Sequence, residues 1–251
     1  MNLSGGNRIA INLLAILNCA RSVLFANNSA EFPYSVGGTA FIVKFQTRSF
    51  VITAKHVVNL KNFEAGQFCI QYRPDSRDFL PPGALHLVRG ANEDDTDQYD
   101  IAVREIDDSV VREGLYSHYQ PYSLLQMDRY TIFSERGSYL YRGYPIAMRE
   151  VDFENHHIEQ GAVTTRAEYV GRTRYDDIHE LRLLDLGPLP SIDGLSGSPV
   201  FQVHNEVGTK YSQEAFAGML VRGSIESGKI FLIEHRRIIE VLLQVAQGTS
   251  P

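Results

Sequence analysis

The stretch Asp193-Gly194-Leu195-Ser196-Gly197-Ser198-Pro199-Val200-Phe201 decides how the rest of the chain is read. Glycines stand on both sides of a serine, and a proline leads into the apolar pair Val200-Phe201. Glycine supplies positive φ without a Cβ penalty, so Ser196 is expected in a sharp turn that enters a strand. Such a turn exposes the hydroxyl and aims the backbone N–H groups of Gly194 and Ser196 at one point. A side chain at 194 would block that point. A serine hydroxyl is a weak nucleophile and needs a base and donors for a developing oxyanion. A Gly/Ser-rich surface loop has the same composition, so the motif needs support from elsewhere in the chain.

The chain has 251 residues, enough for one large β domain or two small barrels sharing a cleft. Hydrophobic residues make up 43%, ordinary for a chain with a true core. A net charge of −6 and a pI of about 5.8 give no basic field, so nucleic acid is not an expected partner. No apolar run is long enough to span a bilayer, so no membrane is expected either. Cys19 and Cys69 are the only cysteines. They are able to pair, but two do not make a disulfide framework, which favours a reducing, cytoplasmic location.

The N-terminus has two readings. Residues 9–17 are apolar behind Arg8 and imitate a signal-peptide core, with Ala26 or Ala30 near a cleavage point. They also place Ile9, Leu13, Ile16 and Leu17 at helical spacing, with Ala20 extending the face. The expectation adopted is a helix over 1–20, with export as the alternative if 1–30 is a signal peptide.

From Ser22 onward the pattern is that of strands. They are expected at 22–25, 39–45 and 49–53 (a hairpin about Gln46-Thr47-Arg48), 68–72, 84–88 and 101–106. Residues 73–83 hold three prolines and read as a loop. Glu93-Asp94-Asp95 and Asp97 form an acidic loop; its carboxylates are of the kind that bind Ca²⁺, but a solvated acidic turn is the reading adopted. A mixed segment, 107–135, leads to strands at 138–145, 161–165, 180–184, 201–203, 215–221 and 229–233, with a polar hairpin through 205–212. Ile238, Leu242 and Val245 then recur at helical spacing behind His235-Arg236-Arg237, and Gly248 is a natural stop. Many short strands and a terminal helix favour a barrel or sandwich over a parallel α/β sheet.

His56, Asp100 and Ser196 stand out in that order, the first ending a strand, the second starting one. An imidazole takes a serine proton near neutral pH, and a buried carboxylate fixes its tautomer. Thr53-Ala54-Lys55-His56, Tyr99-Asp100-Ile101-Ala102-Val103 and Gly194-Leu195-Ser196-Gly197-Ser198-Pro199 resemble the three motifs of chymotrypsin/trypsin-fold serine peptidases, of the disulfide-poor prokaryotic kind related to the HtrA proteases. Gly38-Thr39-Ala40-Phe41, Gly143-Tyr144-Pro145 and the run from Gly218 through Val221-Arg222-Gly223-Ser224 resemble lesser marks of that family. The resemblance covers about residues 20–245. It implies an all-β fold of two packed six-stranded antiparallel barrels with an N-terminal and a C-terminal helix. Residues 21–125 would form the first barrel, 126–234 the second, and 235–251 the helix and tail.

The resemblance also implies a serine endopeptidase with no cofactor and no metal, acting on a protein or peptide substrate. Ser196 would be the nucleophile, His56 the base and Asp100 its orienter, with the N–H groups of Gly194 and Ser196 as oxyanion hole. Pro190, Asp193, Val221, Arg222 and Gly223 would line the substrate pocket. Pro190 stands six before Ser196, where basic-selective relatives carry aspartate, so a small or apolar residue is expected before the scissile bond. Asp193 pulls toward basic substrates and Arg222 toward acidic ones. Leu195 stands where trypsin-like zymogens carry an aspartate, so activation by a new N-terminal amine is not expected. The chain would be active as made, or gated by a partner protein or by movement of the oxyanion turn. A stand-alone processing protease in a stress or defence module is the role suggested, and a silent protease-fold scaffold is the rival. His156 and His157 are neighbours on an expected strand and would point apart, so they are not a metal pair. His86, His118, His179, His204 and His235 lie in no motif.

Overall fold

The computed structural model describes residues 18–27, 29–58, 64–72, 78–81, 83–90, 97–110, 120–125, 133, 137–152, 154, 157–184, 189, 191–205, 212–249 and 251. Residues 1–17, most of the proline-rich and acidic loops, Pro190 and His156 lie outside these. The expected N-terminal helix and the leader both fall largely there. Ala20, expected on that helix, instead begins strand β1 (Ala20–Ala26), because its backbone pairs with Phe41.

Strands dominate the described chain. β2 (Tyr34–Phe45) and β3 (Arg48–Thr53) form the expected hairpin, with Gln46-Thr47 alone in the turn and Phe45 opposite Arg48. Both strands are apolar almost without alternation, since both faces are covered. β4 (Phe68–Ile70), β5 (Leu85–Leu87) and β6 (Ala102–Ile106) complete the order β4-β1-β2-β3-β6-β5. β7 (Tyr122–Leu124) adds a seventh strand, parallel to β2. This sheet departs from the closed six-stranded antiparallel barrel expected here. Its edge strands β4 and β5 have three residues each and are not paired to one another among the described residues.

The second half closes. β8 (Ser138–Gly143), β11 (Val163–Arg172), β12 (Ile178–Leu183), β13 (Pro199–Asn205), β14 (Ser212–Ser224) and β15 (Lys229–Glu234) form a barrel in the order β11-β12-β15-β14-β13-β8. A separate hairpin, β9 (Arg149–Asp152) with β10 (His157–Gln160), was not legible in the sequence, because its residues are largely charged. Sheet and barrel share an aromatic junction: Phe41 meets Phe216 at 5.5 Å between ring centroids, and Tyr122 meets Phe201 at 5.0 Å. Each fully buried ring contributes about 1.5–3 kcal/mol.

A four-residue helix, α1 (Lys55–Val58), follows β3, and α2 (His235–Ala246) follows β15. Ile238, Leu242 and Val245 of α2 are buried in the same cluster as Phe45 and Phe50 of the sheet. Gly248 ends α2 at φ 73, where its N–H bonds to Val245 and that of Thr249 to Gln244, satisfying the last carbonyls.

Candidate active site

β3 and β6 run antiparallel with Thr53 opposite Ala102. The residues just beyond that pair therefore leave the sheet together, His56 from one strand and Asp100 into the other. His56 sits in the first turn of α1 rather than at the strand end. Val57 and Val58 are buried, which turns the imidazole outward, its side chain 53% exposed. Asp100 follows a 3-10 turn, Asp97–Tyr99, and its N–H donates to the Asp97 carbonyl at 3.1 Å.

One carboxylate holds His56 twice. The His56 backbone N–H donates to Asp100 Oδ1 at 2.8 Å, and Nδ1 lies 2.6 Å from Oδ2. With its proton on Nδ1 the ring keeps an acceptor lone pair on Nε2. The Asp100 hydrogen bond raises the His56 pKa above its ordinary 6.5, against the effect of burial, and the charges of Asp100 and Asp97 add to the rise. Val221 brings no hydroxyl to Asp100: its side chain is in the core. Among the described residues, both hydrogen bonds of the Asp100 carboxylate come from His56.

The serine turn has the expected geometry at its glycines. Gly194 adopts φ 92 and Gly197 φ 88. A Cβ at Gly194 would lie 2.7 Å from the Tyr144 carbonyl oxygen. At Gly197 it would lie 1.9 Å from the Thr39 oxygen and 2.6 Å from Thr53 Oγ1. Gly197→Ala is therefore expected to cost at least about 3 kcal/mol, combining left-handed strain with overpacking. A urea titration against native chain checks this, and an unchanged midpoint would refute it.

Two backbone carbonyls of the turn are tied to the body of the protein. The Ile146 N–H donates to the Asp193 oxygen at 2.8 Å, and the Ser198 N–H donates to that of Leu195 at 3.0 Å. A trans peptide points its N–H opposite to its C=O. The N–H groups of Gly194 and Ser196 accordingly face away from these anchors, and neither has a backbone acceptor among the described residues. Leu195 is buried in the barrel core, where a carboxylate would be left unpaired. The hydroxyl of Ser196 donates to the Val221 carbonyl at 2.9 Å. Among the described residues no hydrogen bond joins this hydroxyl to His56, and its partner is the Val221 carbonyl.

The structure brings His56, Asp100, Gly194 and Ser196 into one cleft of about 560 Å³, and Asp193, Val221, Arg222 and Gly223 line it as well. Sequence reasoning missed Thr39. Its N–H donates to the Ser196 oxygen at 2.9 Å, and its hydroxyl donates to the Gly194 oxygen at 2.7 Å while accepting from the Tyr144 N–H at 2.9 Å. Position 39 thus clamps the turn from the opposite half of the molecule, a role that its place in the Gly38-Thr39 motif hinted at. Also missed were Ile192 and Ile230, which line the cleft as single apolar residues with no motif. Asp97, read as part of a solvated acidic loop, holds Arg222 Nε at 2.5 Å across the cleft, and the guanidinium lies 4.1 Å above the Phe231 ring. The acidic pull expected of Arg222 is thereby offset by Asp97. His86 and His179 pair with Glu105 and Glu234, each at 3.1 Å, away from the cleft.

No protein-family model matches this chain, and no curated protein matches it.

Proposed function

We propose that the chain is a serine endopeptidase of trypsin-like type, the seven-stranded sheet being the counterpart of the first barrel. The observation that carries this reading is the doubly bonded Asp100–His56 pair, set in the same cleft as a serine turn in which the N–H groups of Gly194 and Ser196 have no backbone acceptor among the described residues. Ser196 Oγ attacks the substrate carbonyl as its proton passes to His56 Nε2. The oxyanion is held by the N–H groups of Gly194 and Ser196. His56 then protonates the leaving amine, and water hydrolyses the acyl-enzyme by the same path in reverse.

A peptide suits the cleft better than a small ester. β14 is paired to β13 only as far as Met219 opposite Pro199, while Arg222, Gly223 and Ser224 are still paired to β15. The free edge of residues 222–224 offers backbone partners to an extended chain. The neighbouring recess is short and apolar: a Cβ on Gly223 would meet Ile230 at 2.7 Å and Ile192 at 2.8 Å. This supports a small or aliphatic side chain before the scissile bond.

The Ser196–Val221 bond favours one second reading, a protease-fold binding protein without turnover. Fluorophosphonate labelling separates the two. An adduct on the tryptic peptide containing Ser196 is expected for the hydrolase, and a folded sample that stays unlabelled would support the scaffold.

A further inference from the structure

Two of the three carboxylates lining the cleft have a nitrogen partner, and the third has none among the described residues. Asp100 is held by His56 at 2.6 and 2.8 Å, and Asp97 by Arg222 at 2.5 Å. Asp193 also lines the cleft; its side chain is exposed and has no hydrogen bond or ion pair among the described residues. Its backbone is anchored on both sides, the N–H donating to Ser191 Oγ at 3.0 Å and the carbonyl accepting from Ile146 at 2.8 Å. The carboxylate therefore projects from an anchored backbone position, next in the chain to Gly194. Arg222 does not cancel it, being occupied by Asp97 and stacked on Phe231.

We infer that Asp193 selects substrates with a lysine or arginine flanking the attacked residue. This rests on the hydrolase reading above. An unpaired carboxylate lining a cleft concentrates cations there. It also opposes the negative charge that develops on the attacked carbonyl oxygen. A cationic substrate side chain on Asp193 removes that opposition when the charge forms, so it speeds reaction as well as binding.

The test uses fluorophosphonate probes that share one phosphorus group and differ only in a tail ending in trimethylammonium, carboxylate or a neutral amide. At low ionic strength the cationic probe is expected to label native chain roughly fivefold faster than the anionic one, the size of a Coulomb term between partly solvated charges. Salt at about 0.5 M should shrink the ratio. Asp193→Asn should bring it near one, and Asp193→Lys should invert it; both keep the backbone anchors, so thermal melts should match native chain. Equal rates in native chain, or a ratio that survives Asp193→Lys, would overturn the charge selection alone. Absence of labelling by all three probes would overturn the hydrolase reading and this inference with it.

Discussion

Ser196→Ala is expected to lower the initial rate of nitrophenyl-ester and peptide hydrolysis by about 10⁴-fold or more, equivalent to about 5.5 kcal/mol of transition-state stabilisation. Among the described residues lining the cleft, Ser196 is the one with a hydroxyl or thiol. The variant keeps the N–H groups of positions 194 and 196, so a residual rate from oxyanion binding should persist above buffer. Its fold should be little affected. The lost hydroxyl makes one hydrogen bond, 2.9 Å to the Val221 carbonyl, worth about 1 kcal/mol. For a chain of this size that shifts Tm by only about 2–4 °C. A rate within tenfold of native, in a sample with a native melt, would remove Ser196 from the mechanism.

Asp100→Asn is expected to be nearly as severe, about 10⁴-fold in turnover, with a change in pH profile that mere misfolding would not produce. Asparagine is close in shape but offers an amide N–H₂ where Oδ2 now accepts from Nδ1. The ring then turns its lone pair to the amide and its proton to Nε2, leaving Ser196 without a base. The sign of the pH effect follows from the His56 shift. Asp100 raises the His56 pKa above 6.5, so activity of the native chain is expected to climb with pH through a midpoint above that value as the imidazole loses its proton. Without the carboxylate the midpoint should fall toward 6.5, on a far lower plateau. Stability runs the other way: the raised pKa stabilises the fold below pH 6.5, and this contribution is lost as pH rises through the folded-state value. Melts across that window should flatten in the variant. A native-like midpoint in Asp100→Asn would sink the role assigned to this pair.

The candidate triad was legible because each member sits in a short motif tied to a strand boundary, and strand boundaries follow local chemistry. Thr53-Ala54 closes an apolar run before His56; Ile101-Ala102-Val103 opens one after Asp100; the glycines at 194 and 197 demand a turn around Ser196. Thr39 was harder to read, because its bonds to Gly194, Ser196 and Tyr144 reach residues 105 to 157 positions away. The neighbours within the first sheet were hard to read for a related reason. Hydrophobic pattern marks a strand but not its neighbour, and β7 joins β2 in parallel where a meander would have been antiparallel.

By itself, then, the sequence determined the all-β class, the C-terminal helix and the three residues of the candidate site, since these depend on periodicity and on turn chemistry within a few residues. Only the tertiary structure decided the seven-stranded sheet with its parallel strand beside a closed barrel, the Thr39 clamp, the Ser196–Val221 hydrogen bond and the Asp97–Arg222 pair of the cleft. Asp97 and Arg222 lie 125 residues apart in the chain. Their pairing, which leaves Asp193 without a partner among the described residues, exists only because the packing of sheet against barrel brings opposite charges to one cleft.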